Sequence, residues 1–232
     1  MANPNIELLT SIANAMGALR EKVVFVGGCA TGLLITQPIV ADARATEDVD
    51  AIVEVASLVG YHALARQLMA LGFKQTMADN TPPFRWYWNG MQLDLVPLDE
   101  KVLGFANRWY KPGFEAATTA TLPSGLQLRH LSAPYFMATK LEAFKDRGNN
   151  DVYLSHDLED VVSVVDGRDE LTDELKSAPA DVRSFVASTF RELLQHPDFT
   201  NVLPGIVSQS ARTGLVLQRF TNIAADQAVD IP

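Results

Sequence analysis

The sequence predicts an α/β (α+β) chain, in which a small, twisted mixed sheet is followed by a helical C-terminal lobe. Three observations carry this expectation. A short apolar run, Val23 to Val26, ends in the pair Gly27-Gly28 and gives way to a helical pattern. Two alternating runs flank Asn89-Gly90, the strongest short-range hairpin signal. Beyond Ser132 the patterns are helical.

Taken in order, Ile6, Leu8, Leu9, Ile12, Ala13, Met16 and Leu19 recur at helical spacing across residues 5–20. The run Val23 to Val26 is a buried strand, and Ala30 to Ile35 is a helix starting at the glycine turn. From Asp48 the period becomes two: Val49, Ala51, Val53 and Val55 alternate with Asp48, Asp50, Ile52 and Glu54. A helix over about 57–71 is closed by Gly72. Strands at 84–88 and 91–96 form the hairpin. Ser132-Ala133-Pro134 opens a helix that runs to Arg147, Ser155 caps another through Val165, and further helices are expected near 171–176 and 180–194. The stretch 119–132 is rich in Thr, Ser, Gly and Pro and reads as the connection. These elements divide the chain into a mixed α/β domain at 1–125 and a helical domain at 126–232.

Composition narrows the function classes. A chain of 232 residues with 47% hydrophobic content can bury one substantial core or two small ones. Its N-terminus lacks the basic start and continuous apolar run of a secretory signal, and Val23 to Val40 is interrupted by glycines and polar residues. A cytoplasmic location without a membrane span is expected. Cys29 has no second thiol for an internal disulfide or a zinc cluster, so packing in the glycine turn is its expected role. The net charge of -9 disfavours a broad nucleic-acid-binding surface and leaves only a local patch around Lys140, Lys145 and Arg147.

The chemistry is expected to reside in aspartates. Asp48 and Asp50 leave the same face of one strand, with Cα atoms roughly 6–7 Å apart. Enclosed carboxylates that close repel unless a cation compensates them, and magnesium prefers such hard oxygen ligands. A two-residue turn at Asn89-Gly90 sets Trp88 opposite Met91, Tyr87 opposite Gln92, Trp86 opposite Leu93 and Arg85 opposite Asp94. Asp94, lying between Leu93 and Leu95 in an apolar strand, needs a partner or a metal. Placed beside the Asp48 strand, it completes three carboxylates suited to two Mg2+ ions and phosphoryl-group chemistry. Gly27-Gly28, between strand and helix, can bring backbone N–H groups close to phosphate oxygens.

Gly27-Gly28-Cys29-Ala30-Thr31, followed by Arg44-Ala45-Thr46-Glu47-Asp48-Val49-Asp50, resembles the glycine-pair and DxD signature of the polymerase-beta-like nucleotidyltransferase superfamily. Within it, the AbiEii-type or MenT-type toxin nucleotidyltransferases are the most similar branch. Lys140-Leu141-Glu142-Ala143 with Arg147 resembles that family's lysine-bearing helix, and Ser155-His156-Asp157-Leu158-Glu159-Asp160 its aspartate-bearing segment. The resemblance implies an enzyme of the EC 2.7.7 type that moves a nucleoside monophosphate from an NTP to a hydroxyl of tRNA or protein, with a cognate antitoxin as a potential partner. It further implies metal binding by Asp48, Asp50 and Asp94, and nucleotide contacts by Gly27, Gly28, Thr31, Arg85 and Lys140. Asp157 and Lys140 would be required for binding or transfer.

Plainer readings stand beside these. Lys140 shares a helical face with Phe136 and Phe144 and can lay its stem on the core with its ammonium in water. Arg85 opposite Asp94 can be a structural ion pair, and Asp157 and Asp160 suit a helix N-terminus by dipole alone. Phe84, Trp86 and Trp88 fit sheet core better than a base-stacking platform. The functional alternatives are a small-molecule (antibiotic) nucleotidyltransferase and a non-catalytic nucleotide-binding module of the same fold.

Overall fold

Alternation along Asp48-Val49-Asp50-Ala51 produces β2 (Asp48–Val53), in which Val49, Ala51, Ile52 and Val53 are buried and the two aspartates are half-exposed. A computed structural model of the chain describes residues 3–37, 40, 44–76 and 81–225. The described residues fall into two units, Met1–Gly32 with Ala45–Ser132, and Leu33–Arg44 with Ala133–Pro232.

The first unit contains α1 (Pro4–Ala15), β1 (Val23–Val26), the start of α2 (Gly27–Leu34), β2, α3 (Leu58–Ala70), β3 (Arg85–Trp88) and β4 (Met91–Pro97). It continues through α4 (Glu100–Leu103), α5 (Tyr110–Glu115), β5 (Thr118–Thr121) and β6 (Gln127–His130). The six strands make one mixed sheet in the order β3-β4-β2-β1-β6-β5. β2 pairs antiparallel with β1 and parallel with β4, so it is hydrogen-bonded on both edges. In the hairpin, Asn89 and Gly90 both have positive φ (48° and 82°), the backbone of a two-residue primed turn. The expected register follows: Trp88↔Met91, Tyr87↔Gln92, Trp86↔Leu93 and Arg85↔Asp94. Trp86 is fully buried and donates to the Tyr61 hydroxyl at 3.5 Å, and Tyr61 donates to the Leu95 carbonyl at 3.0 Å, which ties α3 to the apolar side of the hairpin. Phe84 and Trp88 are half-buried against Phe105 and Phe73.

Two local expectations are revised. α1 stops at Ala15, because Gly17 adopts φ +53° and a 3-10 segment covers Gly17–Lys22. The polar stretch at 119–132 is a hairpin: β5 and β6 pair antiparallel around Gly125 (φ +83°), and β6 joins the sheet parallel to β1 at Phe25↔His130. Its threonines are mostly solvent-facing, as on an edge strand, so no apolar alternation announces it.

The second unit is helical: α6 (Ala133–Asp146), α7 (His156–Gly167), α8 (Leu171–Ser177), α9 (Ala180–Gln195), α10 (Phe199–Ile206) and α11 (Thr213–Ala224). Ser155 caps α7 by accepting from the Leu158 N–H at 3.2 Å. Phe190 stacks on Phe220 at 4.2 Å between centroids, and Phe199 meets Phe220 edge-on at 5.1 Å. Among the described residues, no helix is long and apolar enough to cross a membrane.

Candidate functional site

The parallel pairing of β2 with β4 places Asp48 beside Gln92 and Asp50 beside Asp94. Side chains two apart share a face, so the DxD pair and Asp94 project from the same side of adjacent strands. One oxygen from each of Asp48, Asp50 and Asp94 lies within 4.8 Å of the others. The convergence expected from turn geometry is therefore present, with Asp94 only 5% exposed and the other two half-exposed.

Each carboxylate has its own support. Thr46 donates its hydroxyl to Asp48 Oδ1 at 2.6 Å, and its backbone N–H is held at 3.0 Å by Oδ1 of the fully buried Asn5. α1 thus reaches Asp48 through a single threonine. Asp50 lies over Gly27, whose φ is +73°; a Cβ there would stand 1.9 Å from Asp50 Oδ2. The left-handed turn that ends β1 and the close approach of a carboxylate both require glycine at this position.

Arg85 grips Asp94 bidentately, with Nε to Oδ1 at 2.9 Å and Nη2 to Oδ2 at 2.7 Å. The Gln92 amide is assigned with its oxygen toward Arg85, accepting from Nε at 3.1 Å and Nη2 at 3.2 Å, because the reverse sets an amide NH2 against a guanidinium. The bond to Asp94 raises the guanidinium pKa above its ordinary value, although partial burial opposes the shift.

α2 begins at Gly27 itself, so the glycine pair forms its first turn rather than a loop ahead of it. Cys29 is buried and donates to the Asn5 carbonyl at 3.0 Å; burial, followed by the charges of Asp50 and Asp48, pushes its thiol up to about 12. A packing role for Cys29 accords with this. Thr31 is fully buried and its hydroxyl has no hydrogen-bond partner, so in this structure it faces the interior of the first unit.

The donor set fits a hard divalent cation. The three groups are carboxylates, with no sulfur or imidazole donor in the cluster, and such oxygens favour Mg2+, Ca2+ or Mn2+ over softer metals. Three converging negative charges need compensation, and the Arg85 guanidinium offsets one of them.

The lysine-bearing and aspartate-bearing segments meet inside the second unit. Lys140 Nζ lies 2.6 Å from Asp160 Oδ2 and 3.0 Å from Asp157 Oδ1, and Arg147 joins Asp157 at 3.1 Å. The ammonium is therefore enclosed rather than extended into water, with Lys140 8% and Asp160 1% exposed. Burial lowers the Lys140 pKa, but Asp160 and Asp157 outweigh it and the net shift is upward. His156 is exposed and pairs with Glu159, as suits a surface residue.

Asn5 and Thr46 have clear supporting places that the sequence reading did not single out. Thr46 carried one usable signal, a hydroxyl two positions before Asp48. Asn5 carried none, since its contact spans 41 residues.

No protein-family model matches the chain, and no curated protein sequence matches it. Among solved structures, the antibiotic-resistance factor ANT(2'')-Ia gives a TM-score of 0.48 at 16% identity, over 83% of this chain and 94% of that one. A crystal structure of ANT(2'')-Ia in complex with adenylyl-2''-tobramycin gives 0.46 at 15%, over 81% and 97%. An antigenic nucleotidyltransferase-like protein from Paracoccidioides brasiliensis gives 0.50 at 18% identity, over 90% of this chain and 96% of that one. The chain therefore has a nucleotidyltransferase-like fold, with the three aspartates on adjacent strands of its mixed sheet.

Proposed function

We propose that the chain is a metal-dependent nucleotidyltransferase that moves a nucleoside monophosphate from an NTP to an acceptor hydroxyl. The observation that carries this is the meeting of Asp48, Asp50 and Asp94 within 4.8 Å on a nucleotidyltransferase-like sheet. Asp48, Asp50 and Asp94 would hold divalent ions, Mg2+ in the cell and two in number. Such ions, when bound, offset phosphate charge and lower the pKa of the attacking hydroxyl. In the reaction the acceptor oxygen bonds to the α-phosphorus, the bond from that phosphorus to the β-phosphate bridge breaks, and pyrophosphate leaves. Asp94 would take the acceptor proton. Gly27 and Gly28 would offer backbone N–H groups to phosphate.

We carry Arg85, Lys140 and Asp157 into the proposal as nucleotide-site residues, and leave out Thr31 because its side chain is fully buried. Lys140 and Asp157 are ion-paired, so their contributions are expected to fall together. On the motif resemblance, we assign the chain to the AbiEii-type or MenT-type toxin branch, acting in the cytoplasm on tRNA or protein and opposed by an antitoxin. A net charge of -9 favours a second reading, a cationic small-molecule acceptor such as an aminoglycoside.

Radiolabelled NTPs incubated with a divalent cation and a panel of tRNA, protein and aminoglycoside acceptors test both readings. Asp48→Asn should lower transfer by more than about 100-fold, since even outer-shell partners of a metal are worth 10- to 100-fold. Undiminished transfer by that variant rejects the scheme; tight nucleotide binding without turnover in saturating magnesium points to a non-catalytic module.

A further inference from the structure

The guanidinium of Arg85 occupies both oxygens of Asp94, at 2.9 and 2.7 Å. A divalent cation shared among the three aspartates needs at least one of those oxygens. Arginine and cation, both positive, therefore compete for the charge of one carboxylate. Arg85 lies on β3, which ends the sheet order, whereas Asp94 is on β4, paired on both sides. The arginine side chain is 29% exposed and that of Asp94 is 7% exposed. Of the two, the guanidinium is the partner with an open side and a long stem, and Gln92 gives it a second acceptor.

A triphosphate offers what could draw this guanidinium away. Phosphate oxygens accept the planar arginine fork bidentately, as a carboxylate does, and carry more charge. We infer that Arg85 couples the two ligands of the site: without nucleotide it holds Asp94 against divalent cations, and the triphosphate draws it off and frees Asp94 to bind one. Polyanion and cation then bind with positive cooperativity, and each raises the affinity of the site for the other. This inference rests on the proposed metal and triphosphate site and adds the residue that links its two halves.

Removing the guanidinium should move the two affinities in opposite directions. Mn2+ binding is measured by electron paramagnetic resonance without any polyanion, and tripolyphosphate binding by calorimetry in EDTA, on the full chain. Arg85→Gln is expected to bind Mn2+ about tenfold or more tightly than the parent, because the positive charge that competes for Asp94 is gone. The same variant should bind tripolyphosphate about tenfold more weakly, because its bidentate partner is gone. Arg85→Lys, which keeps the charge without the fork, should fall between the two, and it preserves the test if Arg85→Gln folds poorly. A purely structural ion pair would weaken both ligands or neither.

Equal Mn2+ affinity in the parent and Arg85→Gln, lost in both on Asp50→Asn, overturns the coupling while leaving the cation site intact. Absence of Mn2+ binding from the parent and every variant overturns the coupling together with the metal-dependent reading.

Discussion

Replacing Gly27 by alanine attacks the turn that ends β1 and the seat of Asp50 in one step. A Cβ at this position would lie 1.9, 2.7 and 2.9 Å from Oδ2, Cγ and Cβ of Asp50, so the aspartate must move. Holding alanine in the left-handed region costs roughly 1–2 kcal/mol. Forcing Asp50 off its rotamer adds about 0.5–1.5 kcal/mol. The expected loss is therefore about 1.5–3.5 kcal/mol, a fall in melting temperature of roughly 3–14 °C for a chain of this size. Mn2+ affinity should fall with it, because Asp50 is displaced from Asp48 and Asp94. A double-mutant cycle with Asp50→Gly separates the two contributions: without the aspartate side chain, Gly27→Ala should retain only the backbone part. Thermal unfolding of the four proteins reads this directly. If Gly27→Ala costs the same in both backgrounds, within about 0.5 kcal/mol, the contact between Gly27 and Asp50 is not what the site depends on.

Thr46→Val removes the 2.6 Å hydrogen bond to Asp48 and should weaken Mn2+ binding by about 10- to 100-fold while far-UV circular dichroism stays unchanged. Lys140→Met leaves the buried Asp160 without its 2.6 Å partner and should cost roughly 3–5 kcal/mol in urea unfolding; a loss under about 1 kcal/mol would show that the ion pair is dispensable. Burial alone would raise the Asp157 pKa, but Lys140 and then Arg147 outweigh it and hold the carboxyl below its ordinary 3.8. The unfolded chain thus takes up this proton first on acidification, so the stabilisation is complete well above pH 3.8 and is lost as pH falls through the folded value. Unfolding midpoints should drop more steeply below that pH in the parent than in Asp157→Asn.

The part of the site built from strands was legible because strand geometry leaves little freedom. Asn89-Gly90 fixes a two-residue turn, the turn fixes the register, and the register sets Arg85 against Asp94. The same alternation that buries Val49 and Ala51 puts Asp48 and Asp50 on the other face. Where an element is defined by tertiary contact, the linear pattern misled or was silent. Thr118–Thr121 is an edge strand with mostly exposed threonines, hence its resemblance to a connection. Pro204 and Gly205 argue against a helix at Phe199–Ile206, yet burial of Phe199 and Leu203 prevails over local propensity. The anchoring of Thr46 by Asn5 exists only once α1 has docked on the sheet. The ambiguity over Lys140 came from the same source: its helical face was visible in sequence, but the carboxylates enclosing its ammonium lie on α7.

The exposed Asn89-Gly90 turn joins β3 to β4 without contributing a ligand to the aspartate cluster. Lengthening that turn would leave β1, β2 and β4 laterally bonded, since only the direct covalent link to β3 is loosened. A molecule so altered should thus keep its acidic cluster while loosening the strand that carries the arginine. Insertions of graded length would turn that loop into a dial for the grip of one side chain on another.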